Sequence, residues 1–277
     1  MLLSGCAGLT SAAELRSDFN WVYDHPEFGG LSGFEVSDDG ARYLAVTDSA
    51  FVFSGSLLRD MGQISSVTVD YVHQLTRADG SLLTGAKADA EGLAIDDAGR
   101  IYVSYEGVAR VAIYDDIRQP ALKTVRSPVF ADLQFNSSLE AVAVNAEGAI
   151  YTIPERSGRA TRPFPVYRYF EGEWSVPFAL PRRGAYLIVG ADIGPDERLY
   201  ILERDFTGIG FRTRVRRFDL TGAGETVLLE TSNGKHDNLE GLSVWTDERG
   251  RTVLSMISDD NFKFFQRTEI VEYIIDD

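Results

Sequence analysis

Residues Lys87–Gly107 read KADAEGLAIDDAGRIYVSYEG: two short apolar runs, GLAI and IYVSY, flank an Asp/Gly turn, with Glu91 before the first run and Glu106 after the second. Apolar runs this short, bounded by turn residues, read as the paired strands of a hairpin. An acid at the outer end of each strand needs a separate reason, and that reason comes from how often the pattern recurs.

Aligned with itself, the chain carries the pattern five times: GGLSGFEVSDDGARYLAVTD (Gly29–Asp48), DAEGLAIDDAGRIYVSYE (Asp89–Glu106), SSLEAVAVNAEGAIYTIPE (Ser137–Glu155), LIVGADIGPDERLYILE (Leu187–Glu203) and DNLEGLSVWTDERGRTVLSMISD (Asp237–Asp259). A small residue opens each copy, at Gly33, Gly92, Ala141, Gly190 and Gly241, in steps of 59, 49, 49 and 51 residues. That period is the length of a propeller blade. Two more strand segments lie between successive copies, as in FPVYRYFEG with EWSVPFAL, so each blade has four strands. The last copy ends after its third strand, TEIVEYIIDD (Thr268–Asp277), while an unassigned strand, DFNWVYDH (Asp18–His25), precedes the first. The expectation is an all-β chain: a single β-propeller of five four-stranded blades, its ring closed by the N-terminal strand, which also removes exposed sheet edges. Because the 59-residue first step contains extra strand-like sequence, SVTVDYVHQLTR, six blades is the alternative.

Composition agrees with one β domain. The 277 residues are 44% hydrophobic, with 12 Tyr, 16 Phe and 26 Gly, and no long segment keeps a 3.6-residue apolar period. A formal net charge of −15 repels nucleic acid and anionic membrane surfaces, and both are excluded as partners. The single cysteine, Cys6 in LLSGCAG, rules out an intramolecular disulfide. Leu3–Cys6 resembles a bacterial lipobox, so residues 1–17 are read as the remnant of an export signal with Cys6 as the lipidation site, and residues 18–277 as a monomeric propeller that is periplasmic, secreted or lipid-anchored. No segment approaches the roughly 20 apolar residues that span a bilayer.

In a propeller the first strand of every blade lines the central channel, so residues leading into it and residues trailing from the second strand gather at one end of the ring. The leading position holds Glu91, Glu140 and Glu240, with Ser32 and Val189 in the other two copies; the trailing position holds Asp48, Glu106, Glu155, Glu203 and Asp259. Carboxylates crowded together raise one another's pKa or take a cation between them. Hard oxygen donors from several strands suit calcium better than zinc, and His25, His73 and His236 show no metal-ligand spacing. The expected calcium ligands are Glu91, Glu140, Glu240, Asp48, Glu106, Glu155 and Glu203. In the competing scaffold reading these acids bond backbone amides or neighbouring arginines, since Arg156 and Arg204 directly follow two of them.

Four stretches, GGLSGFEVSDDGARYLAVTD, EGLAIDDAGRIYVSYEG, YLIVGADIGPDERLYILERDF and NLEGLSVWTDERGRTVLSMISDDNF, resemble the phytase-like ("esterase-like activity of phytase") propeller family of bacteria, over nearly the whole chain from Phe19 onward. The resemblance implies a secreted or lipid-anchored propeller with an acid-lined centre. Two departures bear on the site: the third copy has EAVAV for EGLAI, and the fourth has Val189 in place of a leading acid.

Two kinds of metal-assisted ester hydrolysis are compatible with these residues. A phosphomonoesterase needs basic groups around the phosphate, and Arg156, Arg204, Lys235 and His236 are the substrate-binding candidates. A lactonase or esterase needs only a carboxylate to handle the proton of water, for which Glu91, Glu240 and Asp259 are the catalytic candidates. Nucleophilic catalysis lacks a motif: GGLSGF is not G-x-S-x-G. The alternative to an enzyme is a periplasmic binding module with a structural metal, for which the aromatic segment SDDNFKFFQR (Ser258–Arg267) would be a contact patch if it is not packed between blades.

Overall fold

The structure, a computed structural model, describes residues 13–133 and 138–275. Residues 1–12, with Cys6, lie outside the described residues, whereas Glu14–Ser17, read above as part of an export remnant, belong to the first strand.

Among the described residues, twenty strands form five four-stranded antiparallel sheets. The first contains β2 (Leu31–Val36), β3 (Arg42–Thr47), β4 (Phe51–Asp60) and β5 (Gln63–Gln74); the second β6 (Ala90–Ile95), β7 (Ile101–Tyr105), β8 (Arg110–Tyr114) and β9 (Lys123–Val125). The third contains β10 (Leu139–Val144), β11 (Ile150–Pro154), β12 (Phe164–Phe170) and β13 (Glu173–Leu180); the fourth β14 (Leu187–Ile193), β15 (Leu199–Phe206), β16 (Phe211–Phe218) and β17 (Thr226–Glu230). The fifth is composite, with β18 (Leu239–Thr246), β19 (Thr252–Ser258) and β20 (Glu269–Ile275) joined by β1 (Glu14–Asn20). The inner strands β2, β6, β10, β14 and β18 contact one another in succession and β18 returns to β2, which closes the ring. No described helix is long and apolar enough to cross a membrane.

The chain therefore forms five blades and not six. SVTVDYVHQ (Ser66–Gln74) belongs to β5, the 12-residue outer strand of the first blade, LTR begins the loop that follows, and the long first step is taken up by the β4–β5 hairpin and that loop. Closure by the N-terminal strand is as expected, but the strand is displaced. It begins at Glu14 and ends at Asn20, pairing Asp18 with Val271 and Asn20 with Glu269. Trp21 then leaves the sheet and is buried edge-on against Phe28 and Tyr43, capping the junction between the last blade and the first.

One local irregularity recurs in every blade. Pairing of the inner strand with the second strand slips just after it starts, between Leu31 and Gly33, Ala90 and Leu93, Leu139 and Ala141, Ile188 and Gly190, and Leu239 and Gly241. The residues left out of register are Ser32, Glu91 with Gly92, Glu140, Val189 and Glu240, the leading positions of the repeat. A bulge of this kind unpairs one residue and re-aims its side chain. The small residue beside it has its own cause. A Cβ on Gly190 would sit 2.4 Å from the Glu240 carbonyl oxygen, one on Gly92 2.8 Å from that of Glu140, and one on Gly241 2.9 Å from the Phe34 amide nitrogen. Each contact is with the next inner strand, so the period of small residues marks where neighbouring blades approach most closely.

Gly241 makes that approach across the closing seam. Gly241→Val is expected to cost about 1–3 kcal/mol or more through overpacking against a backbone that cannot retreat, read as a lower midpoint in urea unfolding. An unchanged midpoint would show that the inner strands are not in contact there.

Candidate functional site

The bulges and the second-strand ends bring two columns of side chains to one mouth of the channel. Structural register places Ser32, Glu91, Glu140, Val189 and Glu240 in the leading column. In the trailing column, two residues beyond the partner of the small residue, stand Asp48, Glu106, Glu155, Arg204 and Asp259. Glu140, Glu155, Glu240 and Asp259 are buried, and Asp48, Glu91 and Glu106 are partly so.

Glu203 does not join them. It lies one residue short of the trailing column, inside β15, which runs on to Phe206 where the other second strands stop. A one-residue slip in a strand sends the side chain to the other face. There the fully buried Glu203 carboxylate accepts from Arg214 Nε at 2.7 Å and from Arg216 Nε and Nη2 at 2.8 and 2.6 Å. It is a scaffold ion pair and not a channel ligand. Its neighbour Arg204 takes the channel position instead, donating to Glu240 Oε1, to Asn238 Oδ1 and, at 3.4 Å, to Glu155 Oε1. Asn238 in turn donates to Glu240 at 2.9 Å and to Asp259 at 3.4 Å.

Arg204 divides the acids into two halves. On its own side Glu155 and Glu240 have a counter-charge, and Arg156 adds a 3.0 Å bond to Glu155. Opposite it, Asp89, Glu91 and Glu106 bring one carboxylate oxygen each within 4.8 Å of the others. Burial is the main reason that Glu91 is pushed well above the usual carboxylate range, reinforced by the charges of Glu240, Glu106, Asp89 and Asp48. Glu140 is raised in the same way, by burial and then by Glu91, Glu106 and Glu155. Asp259 is pushed up to about 8 by burial and then by Glu240. Asp48, Asp89, Glu106 and Glu240 are raised as well, each chiefly by burial. Oxygens this close suit a hard cation: calcium bonds of 2.3–2.6 Å allow two ligand oxygens to stand up to about 5 Å apart.

The other substrate candidates separate. Arg156 and Lys235 are exposed on loops at this mouth. His236 is not available to a ligand in the channel, because its side chain is fully buried and its Nε2 lies 2.6 Å from the Tyr273 hydroxyl. The aromatic segment is exposed and not packed between blades: Phe262, Phe264 and Phe265 are 56%, 99% and 70% exposed. Phe206 and Ile209, on the β15–β16 hairpin, add a second apolar tip at the same end.

Sequence reasoning missed Asp89 and Asn238 at this mouth and a second carboxyl pair at the other. Glu35 and Asp192, two residues past the small residue in β2 and β14, line a cavity of about 740 Å³ at the opposite mouth. The carboxylate cluster of Asp89, Glu91 and Glu106 lies at the other end. Ser243 Oγ donates to Glu35 at 3.0 Å, and the Val244 and Ile193 amides donate to Asp192 at 2.6 and 2.7 Å, which ties the fifth blade to the first and the fourth. Burial raises both acids, Asp192 to about 7 and Glu35 well above its usual range with help from the Asp192 charge. Acids inside the apolar runs GFEV and GADI were the available signal.

The sequence model described as Phytase-like, esterase-like activity of phytase, matches residues 26–262. No curated protein sequence matches the chain. Among solved structures, an α-L-arabinofuranosidase from Podospora anserina in complex with cellotriose is 12% identical, with a TM-score of 0.55, covering 96% of this chain and 98% of that one. A catalytically inactive virginiamycin B lyase from Staphylococcus aureus with quinupristin is 12% identical with a TM-score of 0.48, covering 96% of this chain and 100% of that one. The likeness to the arabinofuranosidase is one of fold.

The raised acids set the pH dependence of the metal-free protein. A carboxyl whose folded pKa exceeds its unfolded value binds more protons when folded, so its contribution is complete below about pH 4 and lost as pH rises through the folded value. With Asp259 at about 8, the thermal midpoint of protein dialysed against a chelator should fall steadily between pH 5 and 8.5, and a divalent cation should flatten the decline. A midpoint that rises with pH would contradict the crowding.

Proposed function

We propose that this chain, which belongs to the Phytase-like (esterase-like activity of phytase) family, is a divalent-cation-dependent hydrolase whose reaction takes place at the acid-lined mouth. The observation that carries the proposal is the half of the ring where Asp89, Glu91 and Glu106 converge and where, among the described residues, no basic side chain is hydrogen-bonded to them as Arg204 is to the other half. Those three residues, with Asp48 and Glu140 beside them, would hold the ion. Calcium is the ion that an all-oxygen donor set favours. When bound, it would supply Lewis-acid polarisation of a carbonyl or phosphoryl oxygen.

The chain's own residues account for the rest. Asp259, pushed up to about 8, is positioned by Asn238 and by the Asn261 amide at 2.6 Å; its ionised form can take a proton from water, and the protonated form that results can return that proton to a leaving oxygen. Glu240, fixed by Arg204 and Asn238, is a positioning carboxylate in this scheme. Arg156 and Lys235 offer positive charge at the rim to a polar or anionic part of the substrate. Beside them the exposed Phe262, Phe264 and Phe265, with Phe206 and Ile209, favour a substrate with an apolar group. A carboxylic ester or lactone therefore suits the mouth better than a bare phosphate.

Chelated protein should be inactive towards p-nitrophenyl esters and regain turnover with calcium, and the ester should outpace p-nitrophenyl phosphate. Glu91→Gln should weaken calcium binding at least tenfold and abolish turnover, while raising the stability of the metal-free protein at pH 8 because a buried charge is removed. Calcium binding without turnover of any ester or phosphoester would identify a binding module with a structural ion. Turnover that survives both the chelator and Glu91→Gln would remove the metal from the reaction.

A further inference from the structure

A second cluster lies on the outer side of the fifth blade, where the ends of the chain meet. Asp18 is on β1, Glu269 opens β20, and His236 precedes β18. His236 Nδ1 lies 3.6 Å from Glu269 Oε1 and 4.0 Å from Asp18 Oδ2, and one ligand atom from each residue falls within 4.8 Å of the others. His236 is only 3% exposed, yet its Nδ1 has no hydrogen-bond partner. A buried ring nitrogen left without a partner is costly, and here it is aimed at two carboxylates that stand just beyond hydrogen-bond reach.

Those separations resemble ligand spacing more than hydrogen-bond spacing. Tetrahedral zinc, with bonds of about 2.0–2.1 Å, holds its ligand atoms about 3.3–3.4 Å apart. The surroundings also resemble the outer shell of a metal site. The Tyr273 hydroxyl lies 2.6 Å from Nε2 and fixes the ring plane; in the tautomer that a metal on Nδ1 requires, Nε2–H donates to that hydroxyl and the Nδ1 lone pair faces the carboxylates. Glu269 is oriented by the Asp237 amide at 2.7 Å on Oε1 and by Arg267 Nε at 2.7 Å on Oε2. Asp237 is itself fully engaged, accepting from Asn238, Gln266 and Arg267. Asp18, at 37% side-chain exposure, leaves the fourth position open to water.

We propose that Asp18, His236 and Glu269 form a zinc-type transition-metal site that clasps the ring shut. One ligand comes from the N-terminal closing strand, one from the C-terminal strand it pairs with, and one from the loop that leads into the innermost strand of the same blade. The ion thus links the two ends of the chain to the channel wall. The site is distinct from the all-oxygen cluster in the channel, and its donor set selects a different class of metal.

The test uses the full chain after dialysis against a chelator. Zinc titrated calorimetrically should bind one site and raise the thermal midpoint, and cobalt in its place should give the intense visible absorption of a tetrahedral centre. Asp18→Asn, at an exposed position that should fold normally, is expected to weaken zinc binding at least tenfold and to remove the cobalt bands. His236→Gln should do the same, and Glu91→Gln in the channel should leave both signals intact. Failure of the wild-type chain to bind zinc at micromolar concentrations would overturn the proposal. So would zinc binding that is lost in Glu91→Gln and kept in Asp18→Asn, because it would place the ion in the channel.

Discussion

The organising constraint of this protein is electrostatic repulsion held in place by backbone geometry. Five bulges at equivalent places in five inner strands, together with the ends of five second strands, direct seven carboxylates to one mouth of one channel. Close packing between inner strands, marked by Gly33, Gly92, Gly190 and Gly241, denies them room to separate. Three things can relieve such crowding: protons, a fixed cation or a bound one. Arg204 is the fixed cation for Glu240 and Glu155, and protons are the default for Glu91, Glu140 and Asp259. What remains is a half-ring whose carboxyls are all pushed towards the protonated form by burial and by one another, the condition under which a metal ion competes well.

Much of the fold was legible because repetition multiplies a weak signal. A single GLAI…IYVSY hairpin says little, but five copies at blade spacing determine the architecture and bring Glu91, Glu140 and Glu240 together. The closing strand was found and misplaced by four residues at its start, since Glu14–Ser17 lack the aromatic pattern of Phe19–Tyr23 that drew attention to the later segment. Glu203 was misread for a register reason. Turn lengths differ between copies, so acids were matched by type. In the second and third units the spacing from the small residue to the trailing acid is 14 residues, and in the fourth that spacing lands on Arg204. Asp18, His236 and Glu269 had no chance of being seen together, because their proximity follows only from ring closure.

The two mouths of the channel divide the work in physical terms. At one, carboxylates from four blades are set about Arg204 and flanked by exposed aromatics. At the other, Glu35 and Asp192 crowd each other in a wide polar cavity, stitched by Ser243 and the Val244 amide to the blade that closes the ring. The same closing blade carries the Asp18–His236–Glu269 cluster on its outer side. Closure is thus supported along the channel, in addition to the β1–β20 ladder and the bidentate Arg59–Glu272 pair at 2.6 and 2.7 Å, which fastens the first blade to the last.

If protons stand in for a cation at the acid-lined mouth, calcium must displace them. Calorimetric titration of the chelator-treated protein with calcium at pH 7, in two buffers of different ionisation enthalpy, counts that exchange directly. Heats that differ between the buffers in the sense of net proton release on binding are the expected result. Calcium binding with identical heats in both buffers, or no binding at all, would mean that these carboxylates are already ionised or already satisfied, and the crowding on which the functional reading rests would not exist.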